Sequence, residues 1–213
     1  MNKGIVIITH WRNSVWFENL LESLNDYNDY PIYVVTTDYS RANNDYKEWI
    51  STLNVRVLID ESDSFELGAI KKVLYDTNLD EFLLLQDTCY IKDYKLFNLI
   101  FEDGSIGFEE NYLSYLGKYE RKILEQMEIP DIRNKEQSVK AEGDFNKEYV
   151  KRSQPKILFP SFGWEHYDKA RFEYKFGRKN LVCENDYLIK YKGTWSSDRL
   201  YENLRNNATL HSN

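Results

Sequence analysis

Cysteine, proline, glycine, positive charge and long apolar runs are all scarce in this chain of 213 residues. Its two cysteines, Cys89 and Cys183, are too few for a disulfide framework or a four-thiolate zinc site. A single bridge between them stays open at this level. Four prolines and nine glycines exclude collagen-like or linker-like character. Acidic side chains outnumber basic ones by 35 to 28, for a net charge of −7. That balance gives no footprint for gripping duplex phosphates, so no nucleic-acid partner is expected. No stretch approaches the roughly 18 apolar residues of a membrane span. Met1-Asn2-Lys3-Gly4 runs straight into an apolar strand with no secretory signal pattern, so a cytoplasmic protein is expected.

What the chain does have is material for a core. Hydrophobic residues make up 42% and aromatics 15%, which argues against disorder. Gly4-Ile5-Val6-Ile7-Ile8-Thr9 is a continuous β-branched run, the pattern of a strand buried on both faces. Trp16 to Leu24 follows with helical spacing, with Asn13 or Ser14 as a cap. Strands at 32–36, 55–59 and 82–85 then alternate with helices at 46–53, 67–74 and 95–101. Such alternation specifies an α/β fold with a mixed, mostly parallel sheet flanked by helices on both faces.

The second half is less regular. Ser105 to Tyr115 reads as strand material, Lys118 to Met127 as a helix and Asp131 to Pro155 as loop and short helix. Lys156 to Phe159 is a candidate strand, Glu165 to Phe176 a helix ended by Gly177, and 181–183 and 187–189 short final strands. One domain is expected, with a nucleotide-binding half at about 1–104 and an acceptor-binding half at about 105–213.

In an open parallel sheet, ligands sit beyond the C-terminal ends of the strands. Those ends are polar here: Thr9-His10-Trp11-Arg12-Asn13, Thr37-Asp38-Tyr39-Ser40-Arg41 and Gln86-Asp87-Thr88. No Gly-x-Gly-x-x-Gly, P-loop or Gly-x-Ser-x-Gly elbow is present. A bound nucleotide would therefore be held by side chains and strand-end loops.

Four segments resemble the GT-A glycosyltransferases, a nucleotide-sugar-binding fold with an Asp-x-Asp metal site. Residues 32–44 are similar to the strand whose acidic end holds base and ribose, with Thr37 in place of the first acid and Asp38 and Ser40 kept. Residues 65–77 resemble the helix before the metal strand, with Gly68 at its start and Lys71 or Lys72 near the phosphates. Residues 81–91 resemble the metal strand but keep only Asp87, between Gln86 and Thr88. Gly163-Trp164-Glu165 looks like the helix start that carries the base of inverting members, with His166 at the usual Asp position. The whole chain also resembles the N-terminal domain of a chlorovirus transferase that acts on capsid protein, which would place it in host cytoplasm.

The resemblance implies a metal-dependent transferase of hexosyl type. It would move a sugar from a nucleoside diphosphate donor, UDP-linked by preference, to a glycan or glycoprotein acceptor. Mn2+ or Mg2+ would stabilise the departing diphosphate, with Asp87 as metal ligand. Thr9, His10, Trp11, Arg12, Thr37, Asp38, Lys71, Gln86, Lys190 and Trp195 would surround the donor. Glu165 or His166 would serve as base, while a retaining transfer would need neither. Tyr112, Tyr115 and Tyr119 fall in the acceptor region. Two other readings stand beside this one: a nucleotidyltransferase, which normally shows a glycine-rich loop after the first strand, and a non-catalytic binding module with an eroded metal motif.

Overall fold

Alternation along the first strand sets the architecture. In β1 (Lys3–His10), Ile5 and Ile7 enter one apolar cluster while Val6 and Ile8 enter another, and all four are buried. A strand covered on both faces needs neighbours on both edges and helices on both sides. The computed structural model, which describes residues 1–102, 116–156, 158–159 and 171–192, supplies them.

β2 (Ile32–Thr37) and β4 (Glu81–Gln86) flank β1 in parallel register, Ile7 opposing Val34 on one side and Leu85 on the other. β3 (Arg56–Ile59) extends the sheet beyond β2, and β6 (Leu116–Glu120) closes the far edge antiparallel to β4. The order is β3-β2-β1-β4-β6. Helices α1 (Ser14–Ser23), α2 (Asn44–Ser51) and α4 (Lys95–Glu102) cover the Ile5 face through Phe17, Leu20, Ile50, Phe97 and Ile100. Helices α3 (Phe65–Asp76) and α6 (Lys135–Ser153) cover the Val6 face through Ile70, Val73, Phe145 and Tyr149, with the one-turn α5 (Arg121–Leu124) adding Leu124.

A second, antiparallel sheet has the order β5-β9-β8-β7, from β5 (Cys89–Ile91), β9 (Leu188–Lys192), β8 (Arg178–Glu184) and β7 (Arg171–Lys175). One row across it reads Cys89, Lys190, Cys183. Two strand spacings, about 9–10 Å, separate the cysteines, beyond the reach of a disulfide. Both thiols are free and buried.

The second half departs from the sequence expectation at several points. Residues 116–120 form strand β6, where Tyr119 stacks on Phe82 at 5.6 Å, and only Arg121–Leu124 are helical. The span expected as loop and short helix contains the 19-residue α6, capped by Asn134. Its apolar face is a thin line of Ala141, Phe145 and Tyr149 among charges. Leu158 and Phe159 pack on the core outside any strand. Arg171–Lys175, expected as helix, is strand β7. Lys175 pairs with Arg178 across a two-residue turn in which Phe176 (φ 51°) and Gly177 (φ 75°) both adopt positive φ. Gly177 is therefore a hairpin residue rather than a helix terminator. The expected strand at 105–115 lies outside the described residues. Among those described, no helix is long and apolar enough to cross a membrane.

Candidate functional site

The strand order reverses between β1 and β4, because the chain leaves β1 towards β2 and β3 and returns on the other side. A crevice opens at such a reversal, beyond the strand ends. Thr9 and His10 end β1 there, and Gln86, Asp87 and Thr88 end β4. β9 approaches the same point, its Tyr191 N–H donating to the Thr88 carbonyl at 2.9 Å.

Asp87 is 5% exposed, and its Oδ2 accepts from the Thr9 hydroxyl (3.1 Å) and the His10 N–H (3.4 Å). Asn13, at the start of α1, also donates to this carboxylate. Burial pushes its pKa up to about 6, against the opposing effects of the Lys190 ammonium and these donors. Lys190 is itself 3% exposed. Its ammonium donates to Thr88 Oγ1 at 2.6 Å and to Gln86 Oε1, and the Gln86 amide in turn donates to the buried Glu66 carboxylate. Glu66 sits in the first turn of α3, so one helix orients the glutamine and the glutamine orients the lysine.

A second cluster lies at the ends of β1, β2 and β3. Asp38 follows β2 in the left-handed region (φ 56°), a conformation that Asp tolerates better than most residues. Its Oδ1 accepts from Arg41 Nε at 2.6 Å and its Oδ2 from Trp11 Nε1 at 3.1 Å. Burial pushes this carboxyl upward, but the Trp11 and Arg41 hydrogen bonds and the neighbouring cations outweigh it and hold its pKa below the ordinary value. His10 Nδ1 accepts the Arg12 N–H (3.1 Å), while Nε2 faces Asp38 Oδ2 at 3.3 Å and Asp63 Oδ1 at 3.8 Å. The imidazole stacks on Trp11 and Phe65. Burial lowers its pKa despite Asp63 and Asp38, and because Nδ1 accepts the Arg12 N–H, it is Nε2 that carries a proton towards Asp38.

The expected donor residues thus divide. Thr9, His10, Trp11, Asp38, Gln86 and Lys190 converge on the two clusters, while Arg12 is exposed beside them with its guanidinium 4.9 Å from the Trp11 ring. Thr37 is fully buried and donates to the Thr9 carbonyl at 3.4 Å. Lys71 is not brought to the crevice. Helical spacing turns Leu67, Ile70 and Val73 of α3 inward and leaves Lys71 outside, paired with Asp131 at 3.2 Å. Tyr119 is buried against Phe82 and Tyr149. Glu165, His166, Trp195, Tyr112 and Tyr115 lie outside the described residues. Sequence reasoning missed Glu66 and Asp63, and placed Asn13 only within the polar end of the first strand and as a helix cap. The acidic run Asp60-Glu61-Ser62-Asp63 after β3 was a signal of the same kind as the three strand ends that were used.

The donors described here do not fit the divalent cation expected at Asp87. A hard cation wants several oxygens, preferably from more than one carboxylate. Among the described residues, no group of three or more His, Cys, Asp and Glu side chains is placed to hold a metal. The oxygens of Gln86 and Thr88, which flank Asp87, already face the Lys190 ammonium. A cavity of about 340 Å3 elsewhere, lined by Lys3, Tyr30, Tyr33 and Arg56 among others, opens at the N-terminal ends of the strands, away from these groups.

No protein-family model matches the chain, and no curated protein matches it. Solved structures do. The mannosyltransferase PcManGT from Pyrobaculum calidifontis, in complex with GDP-Man and Mn2+, matches with TM-score 0.53 at 12% identity, over 75% of this chain and 54% of that one. S. aureus TarS 1-349 in complex with UDP matches with TM-score 0.51 at 14% identity, over 74% of this chain and 58% of that one. In its UDP-GlcNAc complex the TarS fragment matches over 47% of its length, so the chain spans about half of these proteins. At such identities the likeness is one of fold, and it does not extend to the narrower chlorovirus resemblance. The chain has the GT-A fold of the nucleotide-diphospho-sugar transferases, a mixed, mostly parallel sheet flanked by helices.

Proposed function

We propose that this chain is a glycosyltransferase that binds a nucleoside diphosphate sugar, UDP-linked by preference, at the β1–β4 crevice. It passes the sugar to a glycan or glycoprotein acceptor. The observation that carries the proposal is the convergence of Thr9, His10, Gln86, Asp87 and Lys190 at the strand reversal of this fold. TarS with UDP and PcManGT with GDP-Man support it as proteins of like fold that hold nucleotides.

Glycosyl transfer needs the departing diphosphate to be stabilised and, for inversion, a base for the acceptor hydroxyl. Lys190 and Arg12 supply positive charge on the donor side. Trp11 and His10 offer ring faces and polar edges for the nucleoside. Glu165 or His166 is proposed as the base on the strength of the Gly163-Trp164-Glu165 resemblance, and Trp195 as a wall for the sugar. In this proposal residues from about 1–104, together with Lys190 and Trp195, hold the donor, and the rest of the half from about 105–213 faces the acceptor.

Calorimetric titration of UDP, GDP and UDP-glucose tests the reading. Micromolar binding of one nucleoside diphosphate, with slow release of free sugar from its donor, is the expected result. Failure of all three to bind would remove the transferase reading. Binding with no turnover of any donor would instead favour the non-catalytic module.

A further inference from the structure

Resting on the reading just given, we propose that this site holds the donor diphosphate without a divalent cation, the Lys190 ammonium occupying the electrostatic place of the metal. An acid-x-acid motif presents two flanking carboxylates to a divalent ion, and their charges sum to zero. Here the flanking side chains are a neutral amide and a hydroxyl, Gln86 and Thr88, and the cation they face is Lys190, with Asp87 close enough to counter part of its charge and the Glu66 carboxylate held by the Gln86 amide. Three features make that charge a fixed part of the site. Lys190 stands mid-row between buried Cys89 and Cys183, so its stem is confined on both sides. The Gln86 amide donates to Glu66 and is thereby oriented with its oxygen towards the ammonium. Asp87, the remaining acid of the motif, turns to the end of β1 and takes its hydrogen bonds from Thr9 and His10. In a buried setting one fixed ammonium acts on an approaching diphosphate with little screening. A Mn2+ ion at the same oxygens would have to expel it.

The test is titration of UDP and GDP into the wild-type chain in EDTA and in excess Mn2+, followed by Lys190→Met and Lys190→Arg. Metal independence predicts affinities within about threefold of each other in the two buffers. It also predicts that Lys190→Met weakens the tighter diphosphate by about tenfold or more in EDTA, leaves uridine unaffected, and is largely rescued by Lys190→Arg. Binding that requires Mn2+ would overturn the inference while leaving the transferase reading intact. No diphosphate binding in either buffer would remove both. Unchanged affinity in a folded Lys190→Met variant would end the role of this lysine, and if that variant does not fold, the wild-type comparison decides alone.

Discussion

At Gly68 the third helix has no room for a methyl group. A Cβ built there would lie 1.6 Å from Ser64 Oγ and 2.6 Å from Asp60 Oδ2, two groups hydrogen-bonded to each other. Replacing a mid-helix glycine by alanine normally stabilises by up to about 1 kcal/mol. Here overpacking reverses the sign, so Gly68→Ala should destabilise by about 1–3 kcal/mol, read as a lower urea midpoint at unchanged slope. Asp87 gives a pH prediction at the same scale. Its native pKa of about 6 exceeds the ordinary 3.8, so between these values the folded chain binds the extra proton and stability falls as pH rises. The rise corresponds to about 3 kcal/mol of native-state penalty above pH 6. Asp87→Asn should keep the Thr9 and His10 hydrogen bonds and flatten the melting profile between about pH 4 and 6. An unchanged slope there would mean the carboxyl is not desolvated. His10 runs the other way. Burial holds its pKa below 6.5, and the Arg12 charge adds to the depression. Arg12→Ala should therefore raise the His10 pKa in an NMR titration.

Among the elements, the β7–β8 hairpin shows the opposite problem from Gly68. No atom lies within 4 Å of a Cβ at Gly177, yet its φ of 75° suits few side chains. Gly177→Val should cost about 1–2 kcal/mol through the backbone alone, and Gly177→Asn much less, measured by chemical denaturation. The same glycine shows why the second half was harder to read. A glycine after an apolar stretch signals either a helix end or a tight hairpin, and Phe172, Tyr174 and Phe176 alternate at strand period only once the helical reading of Glu165 to Phe176 is dropped. The thin apolar line of α6 hides in a charged stretch for a related reason. Its apolar contact with the core comes mainly from Phe145 and Tyr149, with Ala141 and Val150 partly buried beside them, few enough residues that a composition scan averages them away. β1, β2 and β4 were legible because both faces of each are covered, giving apolar runs that no loop imitates, and the half-buried edge strand β3 still keeps the run Val57-Leu58-Ile59. The site divides the same way. Thr9, His10, Gln86 and Asp87 could be read from strand ends and Lys190 only through the family resemblance, since its strand pairs with β5 some hundred residues earlier, whereas Glu66, within a helix, gave no signal.

For the whole molecule, the two sheets meet at the crevice and share one of its apolar clusters. Cys89, Ile91, Cys183 and Leu188 of the second sheet pack with Ile5, Ile7 and Leu85 of the first. Lys190 crosses between them to reach Gln86, and the Tyr191 N–H binds the Thr88 carbonyl. A ligand at this point touches the ends of both sheets, so its binding energy should appear in both. At a hundredfold excess over Kd, a nucleoside diphosphate should add about 2.7 kcal/mol to native stability. Hydrogen exchange would show where. Amides of β4 (residues 81–86) and β9 (residues 188–192) should slow together, although they lie a hundred residues apart. In Lys190→Met the protection should persist in β4 and shrink in β9, because the side chain that joins them is lost. Protection confined to β4 in the wild type would show that the second sheet does not take part in holding the donor, and that the ammonium beside Gln86 serves only to join the sheets.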